Sequence, residues 1–245
     1  MNETIRLLQA HHSSRSYRSE PIPEEILEAV IESARRAPTS TNSHEISLVI
    51  VRNAASRARI AEIAGGQPWI AQAPVFIAVI VDFYKTGLGV KKAGGVQLFQ
   101  RSLEGILAAV SDAGIAMATL MLAARALGLG VVPIGGIRRD PQAMIDLLQL
   151  PASTFPVDGV ALGYVAEESP QKPRMAIESF RHEETYHPEV LAPAIDAYDQ
   201  TLQEYWQKIG RTDGLSWSVN MAQHYSSFSR LIKAVAQRQG FTIEV

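Results

Sequence analysis

The chain has no cysteine among its 245 residues. Without thiols it cannot form disulfides, use a thiolate nucleophile, or hold zinc or an iron–sulfur cluster through cysteine. An excess of one charge is also missing, because 23 Lys and Arg face 25 Asp and Glu and leave a formal net charge of −2. No overall positive field therefore points to nucleic acid. This composition suits a reducing compartment, and we expect a cytoplasmic protein.

Sequence signals for export or membrane insertion are scarce. Met1 to Thr4 lack the charged-then-apolar pattern of a signal peptide. Leu103 to Leu122 is long and apolar, but Glu104, Ser111 and Asp112 interrupt it. A carboxylate near the centre of a membrane helix costs about 2.5–3.5 kcal/mol. We therefore predict no membrane partner and a helix that is buried on most of its sides, with a subunit interface as one place for it.

Several catalytic and metal motifs are missing too, including the Gly-x-Ser-x-Gly elbow and the Walker loop. Gly128-Leu129-Gly130 follows a helix and enters a strand, the reverse of a dinucleotide-binding turn, so we assign it to a helix C-terminus. His182 and His187 are five residues apart, or about 140° around a helix, and would not face one ion. We expect no metal and no catalytic side chain, and hence chemistry carried by a bound cofactor.

What the chain does have is a dense polar segment from His11 to Arg18. Two imidazoles, three serine hydroxyls and two guanidiniums fall within eight residues. Such a set suits an anion with several oxygens, because Arg offers a planar fork of donors and Ser and backbone N–H groups fill the other directions. The alternative is a solvated basic turn before a helix.

The remaining pattern predicts alternating helices and strands. Helices are predicted over 23–36, 54–63, 103–127, 141–148, 192–207 and 219–239, and strands over 46–51, 75–81, 131–136 and 157–163. We expect 82–95 to be mobile. Three further stretches read as binding segments or, alternatively, as plain loops: the hydroxyl-rich run 39–44, the double glycine 135–136, and Lys172-Pro173-Arg174.

Five of these motifs occur in a recognisable order. They are His11–Tyr17 with Glu20–Ile22, Ala37–Asn42, Gly65–Gln67, Ile134–Arg138, and Lys172–Arg174. In this order the chain resembles the FMN-dependent nitroreductase superfamily, almost end to end. Within it, the chain is most similar to the NADPH-dependent flavin reductases and oxygen-insensitive major nitroreductases.

The resemblance implies an α+β fold. The expected architecture is a nitroreductase-like three-layer sandwich, a central and mainly antiparallel sheet flanked by helices, in an intertwined homodimer. The helix over 103–127 would lie in the dimer core, and FMN would sit in a cleft at the interface. Residues 1–245 would form a single domain with a C-terminal helical extension from about 190 to 245.

The resemblance also implies site residues. His11, Ser13 and Arg15 would meet the ribityl and phosphate end of FMN, Lys172 and Arg174 would complete the cationic cradle, and Ser40 and Gln67 would hydrogen-bond the flavin. Pro133, Ile134, Gly135 and Gly136 would lie along the isoalloxazine, and His12 and Ser14 complete the cofactor-binding set. Candidates for NADPH are Arg138, Lys208, Arg211 and Arg230. The chain departs from the family pattern at His12 and His44, where Arg and Gln are usual, and its arginine-rich loop is thinner.

The implied reaction moves a hydride from the co-substrate NADPH through N5 of bound FMN to an electron acceptor, in ping-pong order. Nitroarenes, quinones or free flavin would be the small-molecule acceptors. Two alternatives stay open: a different reaction on FMN, such as dehalogenation or dehydrogenation, and a flavin- or nucleotide-binding protein without turnover.

Overall fold

The computed structural model describes residues 2–243 of the chain. Its main helices are α1 (Glu3–Gln9), α2 (Glu24–Arg35), α3 (Ala54–Ile63), α4 (Pro68–Gln72), α5 (Phe83–Lys92), α6 (Leu103–Ala126), α7 (Pro141–Leu148), α8 (Leu191–Lys208), α9 (Trp217–Tyr225) and α10 (Arg230–Arg238). Its strands are β1 (Ile46–Val51), β2 (Val75–Asp82), β3 (Gly130–Pro133) and β4 (Thr154–Gly163). The chain forms two compact units. The smaller one is Pro170–Phe228, and the larger one consists of the chain up to Ser169 together with the chain from Ser229 onward. The predicted extension over 190–245 is divided between them, with α8 and α9 in one unit and α10 in the other.

The larger unit is built on an antiparallel four-stranded sheet in the order β1-β2-β4-β3. Strand β2 is buried along nearly its whole length, as its uninterrupted apolar sequence predicts. Strand β4 begins at Thr154, three residues before the predicted start at 157. Its first residues pair with the end of β2, Thr154 with Asp82, beyond a register shift at Val79/Ile80.

Each face of the sheet is covered by helices, which confirms the predicted α+β sandwich. Because side chains alternate along a strand, Phe76, Ala78 and Ile80 face one side, where they pack with residues of α3, α4 and α7. Val75 and Ile77 face the other side and pack with α2 and α6. The two faces are called the α4 face and the α6 face below.

Helix α6 differs from the prediction in its burial. It is long and apolar enough to cross a membrane, but only 28% of its most apolar 18-residue window is buried within this chain, so the prediction of burial on most sides is wrong for a single copy. Leu103, Leu107, Val110 and Ile115 are exposed, at 41–58% of their surface. Asp112, by contrast, is buried at 6% exposure.

Two further predictions on local structure are wrong. Residues 83–92 form a helix rather than a mobile segment, since the Asp82 carboxylate accepts the backbone N–H of Lys85 at 2.9 Å and caps it. The predicted helix over 219–239 is two helices, because α9 ends at Tyr225 and α10 begins at Arg230. The intervening Ser226, Ser227 and Ser229 compete with helical hydrogen bonds through their hydroxyls.

Candidate functional site

The polar segment from His11 to Arg18 is fixed to the edge of the sheet. The backbone N–H of Ser14 donates to the carbonyl of Val131 in β3 at 2.9 Å. Three residues later, Tyr17 forms an antiparallel bridge with Val165, just past the end of β4. The backbone between these points is therefore held on two sides, while the side chains of Arg15 and Arg18 are exposed.

Tyr17 holds the segment from within, and the sequence analysis gave it no role of its own. Its side chain is buried, and its hydroxyl lies 2.8 Å from the carbonyl of Ser14 and 3.0 Å from that of Ala161. Burial raises the pKa of Tyr17 above its usual range, so the hydroxyl stays protonated as a donor. The sequence signal that could have identified Tyr17 is its position as an aromatic residue inside an otherwise polar segment.

Ser14 points inward rather than to the surface. It is 2% exposed, and a Cβ built on Gly130 would lie 2.6 Å from its Oγ and 2.4 Å from Cγ2 of Val165. Only glycine at 130 allows the segment to approach β3 this closely. Ser14 therefore anchors the loop that presents its neighbours.

The cations of this segment lie nearer the surface. The guanidinium of Arg15 stacks over the Trp69 ring, 5.4 Å from its centroid. The imidazole of His12 has Glu168 Oε2 3.1 Å from Nε2 and the carbonyl of Ala10 3.1 Å from Nδ1. Both ring nitrogens therefore lie beside hydrogen-bond acceptors.

Trp69 joins this segment to a second predicted motif. It belongs to α4, which begins one residue after Gln67 and carries the ring on which Arg15 rests. The indole Nε1 is buried and has no hydrogen-bond partner among the described residues. Nothing in the local sequence marked Trp69, because its role depends on the approach of a segment more than fifty residues away.

Gln67 and the double glycine also come together. Nε2 of Gln67 donates to the carbonyl of Ala64 at 2.9 Å. A Cβ built on Gly136 would lie 2.6 Å from that nitrogen and 2.7 Å from the same carbonyl. Glycine at 136 is thus required for two segments seventy residues apart to touch.

The chain around the double glycine differs from the predicted strand over 131–136. Strand β3 ends at Pro133, which has no N–H for the ladder, and residues Gly135–Arg139 turn into a 3₁₀ helix. Ile134 is buried and still donates its N–H to the carbonyl of Gly159 at 2.7 Å. The two glycines are therefore half-buried in a turn at the end of a strand.

Arg138 folds back over this turn. Its Nη1 lies 2.8 Å from Asp158 Oδ1 and also donates to the carbonyl of Val157. A Cβ on Gly135 would lie 2.7 Å from its Nη2. The Arg138 guanidinium is therefore already paired with groups of the protein itself.

Ser40 lies on the other face of the sheet. Its backbone N–H donates to Asp112 Oδ2 of α6 at 2.6 Å, whereas Gln67 adjoins the α4 face. Within one chain the structure does not bring Ser40 to Gln67 and Gly136. The loop around Ser40 is unusual in backbone conformation, since Thr41, Asn42 and His44 all have positive φ.

The smaller unit holds its own cluster of cations around Trp206. Lys172 Nζ lies 5.1 Å and Arg211 Cζ 4.8 Å from the centroid of this ring. Arg174 follows Lys172 by two residues, and the Tyr198 hydroxyl donates to the intervening carbonyl of Pro173 at 2.9 Å. The structure thus brings together Lys172 and Arg211, which the resemblance assigned to different ligands.

The remaining candidate residues lie in three different segments of the chain. His11 and Ser13 are half-buried in the anchored segment, Lys208 is exposed in the last turn of α8, and Arg230 is exposed at the start of α10. Among residues 2–243, no group of three or more His, Asp or Glu could hold a metal. The Nδ1 of His182 accepts the backbone N–H of His187 at 3.2 Å.

The donor set around the α4 face fits a flat molecule with a phosphate. Arg15 offers positive charge, the anchored segment offers backbone N–H and hydroxyl groups, and the glycine turn offers backbone without side chains. No acid–base pair adjoins the turn in the described residues. The arrangement can bind and orient a group that brings its own chemistry.

Comparisons with known proteins agree with this geometry. The sequence profile of the Nitroreductase family matches residues 8–164, and that of the Nitroreductase family C-terminal domain matches 172–244. An FMN reductase [NAD(P)H] of Bacillus subtilis is 39% identical, with 100% of both chains covered.

Solved structures are similar over the same length. The hypothetical oxidoreductase YcnD from Bacillus subtilis has a TM-score of 0.97 at 38% identity, with 100% of each chain covered. An NADPH:FMN oxidoreductase from Vibrio harveyi, complexed with NAD+, has a TM-score of 0.88 at 27% identity, again with 100% of each chain covered. With a family profile over well over half of its residues and relatives matching end to end, this chain belongs to the nitroreductase family.

Proposed function

We propose that this protein is an NAD(P)H-dependent oxidoreductase with FMN as its cofactor. The observation that carries the proposal is the convergence of two distant motifs on α4. Arg15 stacks on Trp69, and Gln67, two residues before Trp69, touches Gly136. A cation and a bare glycine turn thus flank one short helix, which matches the phosphate and the flat ring of FMN.

Each residue type has a distinct task. The Arg15 guanidinium, the His12 ring and Ser13 would bind the phosphate, which carries close to two negative charges near neutral pH. Gln67 would donate to the flavin ring, and Gly135 and Gly136 would let that ring lie against the backbone. When bound, FMN supplies the hydride and electron transfer. Protons can come from water, so no side chain needs to act as acid or base.

Lys172 and Arg174 remain the further candidate phosphate ligands that the family resemblance implies. Lys172 is held on Trp206 through its ammonium group, and Arg174 lies two residues further along the chain. For NADPH, the candidates Lys208, Arg211, Arg230 and Arg138 carry the positive charge that a 2′-phosphate needs. Arg138 and Arg211 are each already paired with a carboxylate, Asp158 at 2.8 Å and Asp213 at 2.7 Å.

We further propose that the protein is a homodimer. Helix α6 exposes a row of apolar side chains, including Leu107 and Val110. The helix as a whole is too apolar for a surface that faces water. Ser40 lies on the α6 face and cannot reach Gln67 of its own chain. A second copy seated on α6 would bury the row and supply its Ser40 to the neighbouring flavin.

The acceptors would be nitroarenes, quinones or free flavin, because an open flavin face admits many flat oxidants. The small negative net charge and the absence of cysteine support a cytoplasmic protein without nucleic-acid or membrane partners.

The direct test is the flavin spectrum under anaerobic conditions. Purified protein reconstituted with FMN should be yellow, lose its visible absorbance on addition of NADPH, and recover it on addition of a quinone. Protein that stays colourless after reconstitution would end the proposal. Bound FMN that neither NADPH nor NADH bleaches would instead indicate flavin binding without turnover.

A further inference from the structure

A pair of buried carboxyl groups lies beneath the loop that presents Ser40. Glu45 is 2% exposed and Asp112 is 6% exposed, although acidic side chains are rarely buried without a cation beside them. Neither has a role in the proposed site. Asp112 comes from α6, and Glu45 lies immediately before β1, where its carbonyl accepts the N–H of Asp82 at 2.7 Å.

Both carboxyl groups hold the loop. Asp112 Oδ2 accepts the backbone N–H of Ser40 at 2.6 Å, and an ionised carboxylate accepts this bond best. Ser43 Oγ lies 2.6 Å from the carbonyl of Ser40 and also contacts Glu45 Oε2. The loop is therefore tied to Asp112 through its backbone and to Glu45 through a hydroxyl.

Counting hydrogens shows where a proton belongs. The Ser43 hydroxyl has one hydrogen and two neighbouring acceptors, the Ser40 carbonyl and Glu45 Oε2, so both contacts are full hydrogen bonds at the same time when Glu45 carries a proton. Glu45 is also within hydrogen-bonding reach of Asp112, where two ionised carboxylates would repel. The contact between the two carboxyl groups requires one proton, and burial favours Glu45 as the group that holds it.

Charges around the pair do not remove this requirement. The Lys85 ammonium lies across the neighbouring backbone and donates to the carbonyls of His44 and Ile46, each at 2.9 Å. Asp82 adds another negative charge 3.9 Å from Lys85, and Arg35 of α2 lines the adjoining groove with His44. Burial raises the pKa of Glu45 most strongly and the Asp112 carboxyl adds to this, and together they outweigh the hydrogen bonds from the Ser43 hydroxyl and from the backbone, which lower it.

We propose that Glu45 and Asp112 are positioning residues that share one proton and thereby clamp the 39–44 loop, so that Ser40 is held for the flavin only while Glu45 is protonated. This inference rests on the proposed function for the contact of Ser40 with flavin, but the clamp itself does not. It also accounts for the three positive-φ residues of the loop, Thr41, Asn42 and His44, which need an external restraint.

The direction of the pH effect follows from the raised pKa. The folded chain binds the Glu45 proton more tightly than the unfolded chain does. The contribution of the clamp is therefore complete below the ordinary glutamate pKa, and it is lost as pH rises through the higher folded value. Glu45→Gln, whose amide donates as the protonated acid does, should hold the loop at every pH.

The test compares wild type, Glu45→Gln and the control Glu28→Gln, which removes an exposed carboxylate of α2. The first readout is amide hydrogen exchange over 40–44 in the FMN-free protein, corrected for the intrinsic pH dependence. Protection should fall with rising pH in wild type and Glu28→Gln and stay constant in Glu45→Gln. The same pH dependence in all three proteins would overturn the inference.

The second readout is the FMN dissociation constant. From about pH 6 to about pH 9 it should rise about fivefold more in wild type than in Glu45→Gln, a coupling of ordinary size. Titration of the FMN phosphate is common to all variants and cancels in this comparison. Equal rises would overturn the link to flavin, whereas failure of every variant to bind FMN would overturn the proposed function and leave the exchange experiment to decide on the clamp.

A second variant, Asp112→Asn, allows the same exchange measurement if Glu45→Gln does not fold. Asp112→Asn keeps an acceptor for Ser40 but removes the neighbouring negative charge. The loss of protection over 40–44 should then shift to lower pH or disappear. An unchanged transition in Asp112→Asn would contradict a shared proton.

Discussion

The two cation clusters of this protein are held in different ways. Arg15 follows Ser14, whose backbone is bonded to β3, and precedes Tyr17, whose hydroxyl is buried against β4. Lys172 and Arg211 instead share the face of one ring, Trp206, in a unit without a strand among its described residues. Arg15 also stacks on a ring, that of Trp69, but the backbone bonds on either side of it fix its position in addition. Arg211 is instead held by the Trp206 ring and by Asp213, an exposed side chain only two residues away, so this cluster is the less firmly fixed of the two.

The largest expected effect is on the backbone-anchored cation. Arg15→Ala should weaken FMN binding about 30-fold, since a charge-assisted hydrogen bond contributes about 2 kcal/mol. Titration of the FMN-free protein with FMN measures this. Arg230→Ala, which removes a cation away from the anchored segment, is the matched control and should retain FMN. If the two variants retain FMN equally, Arg15 does not bind the phosphate.

Gly136→Ala tests the contact that joins the glycine turn to Gln67. The new Cβ would lie 2.6 Å from Gln67 Nε2 and 2.7 Å from the Ala64 carbonyl, so the free energy of unfolding should fall by about 1–3 kcal/mol. Urea denaturation measures the change. Gly89→Ala in α5, where nothing lies within 4 Å of the new atom, should be stabilising by about 0.5–1 kcal/mol. A neutral result at 136 would mean that the two segments do not touch.

Tyr17→Phe tests the anchor of the polar segment. The carbonyls of Ser14 and Ala161 lose the hydroxyl that they share, and leaving a buried acceptor without a partner costs about 1–3 kcal/mol of unfolding free energy. Tyr84→Phe, at an exposed ring, is the control and should change stability little. If both variants unfold at the wild-type urea concentration, Tyr17 is not the anchor.

The smallest effect is expected at the aromatic platform. Trp206→Leu should raise the KM for NADPH about threefold with FMN still bound, because cation–π contacts at exposed sites contribute about 0.5–1 kcal/mol. Trp206→Phe is the control, since it keeps a ring while losing the indole N–H bond to the Leu215 carbonyl just as Leu does. Similar KM values for the two variants would show that the ring does not hold these cations.

The parts of the fold that sequence predicted best are those governed by local pattern. The all-apolar run of β2 and the four-strand layout follow from β-branched stretches, and the antiparallel sandwich follows from the resemblance. Helix α5 escaped prediction because Gly87 and Gly89 lower its intrinsic propensity, and the Asp82 cap that offsets them is a single side-chain contact.

The site was predicted as motifs but not as contacts. Gln67 and Gly136 were each identified, yet only the structure shows that they touch. Trp69, Tyr17 and Glu45 received no role, because each acts on a segment distant in sequence or through a proton that no pattern reveals. Ser40 was assigned to the same flavin as Gln67, but within one chain its backbone is bonded to Asp112 of α6.

The most direct test of the central claim is the ratio of the dissociation constants for FMN and riboflavin. If the anchored segment binds the phosphate, wild type should bind FMN far more tightly than riboflavin, and Arg15→Ala should remove most of that difference while leaving riboflavin affinity nearly unchanged. Equal affinities for FMN and riboflavin in the wild type would contradict the account.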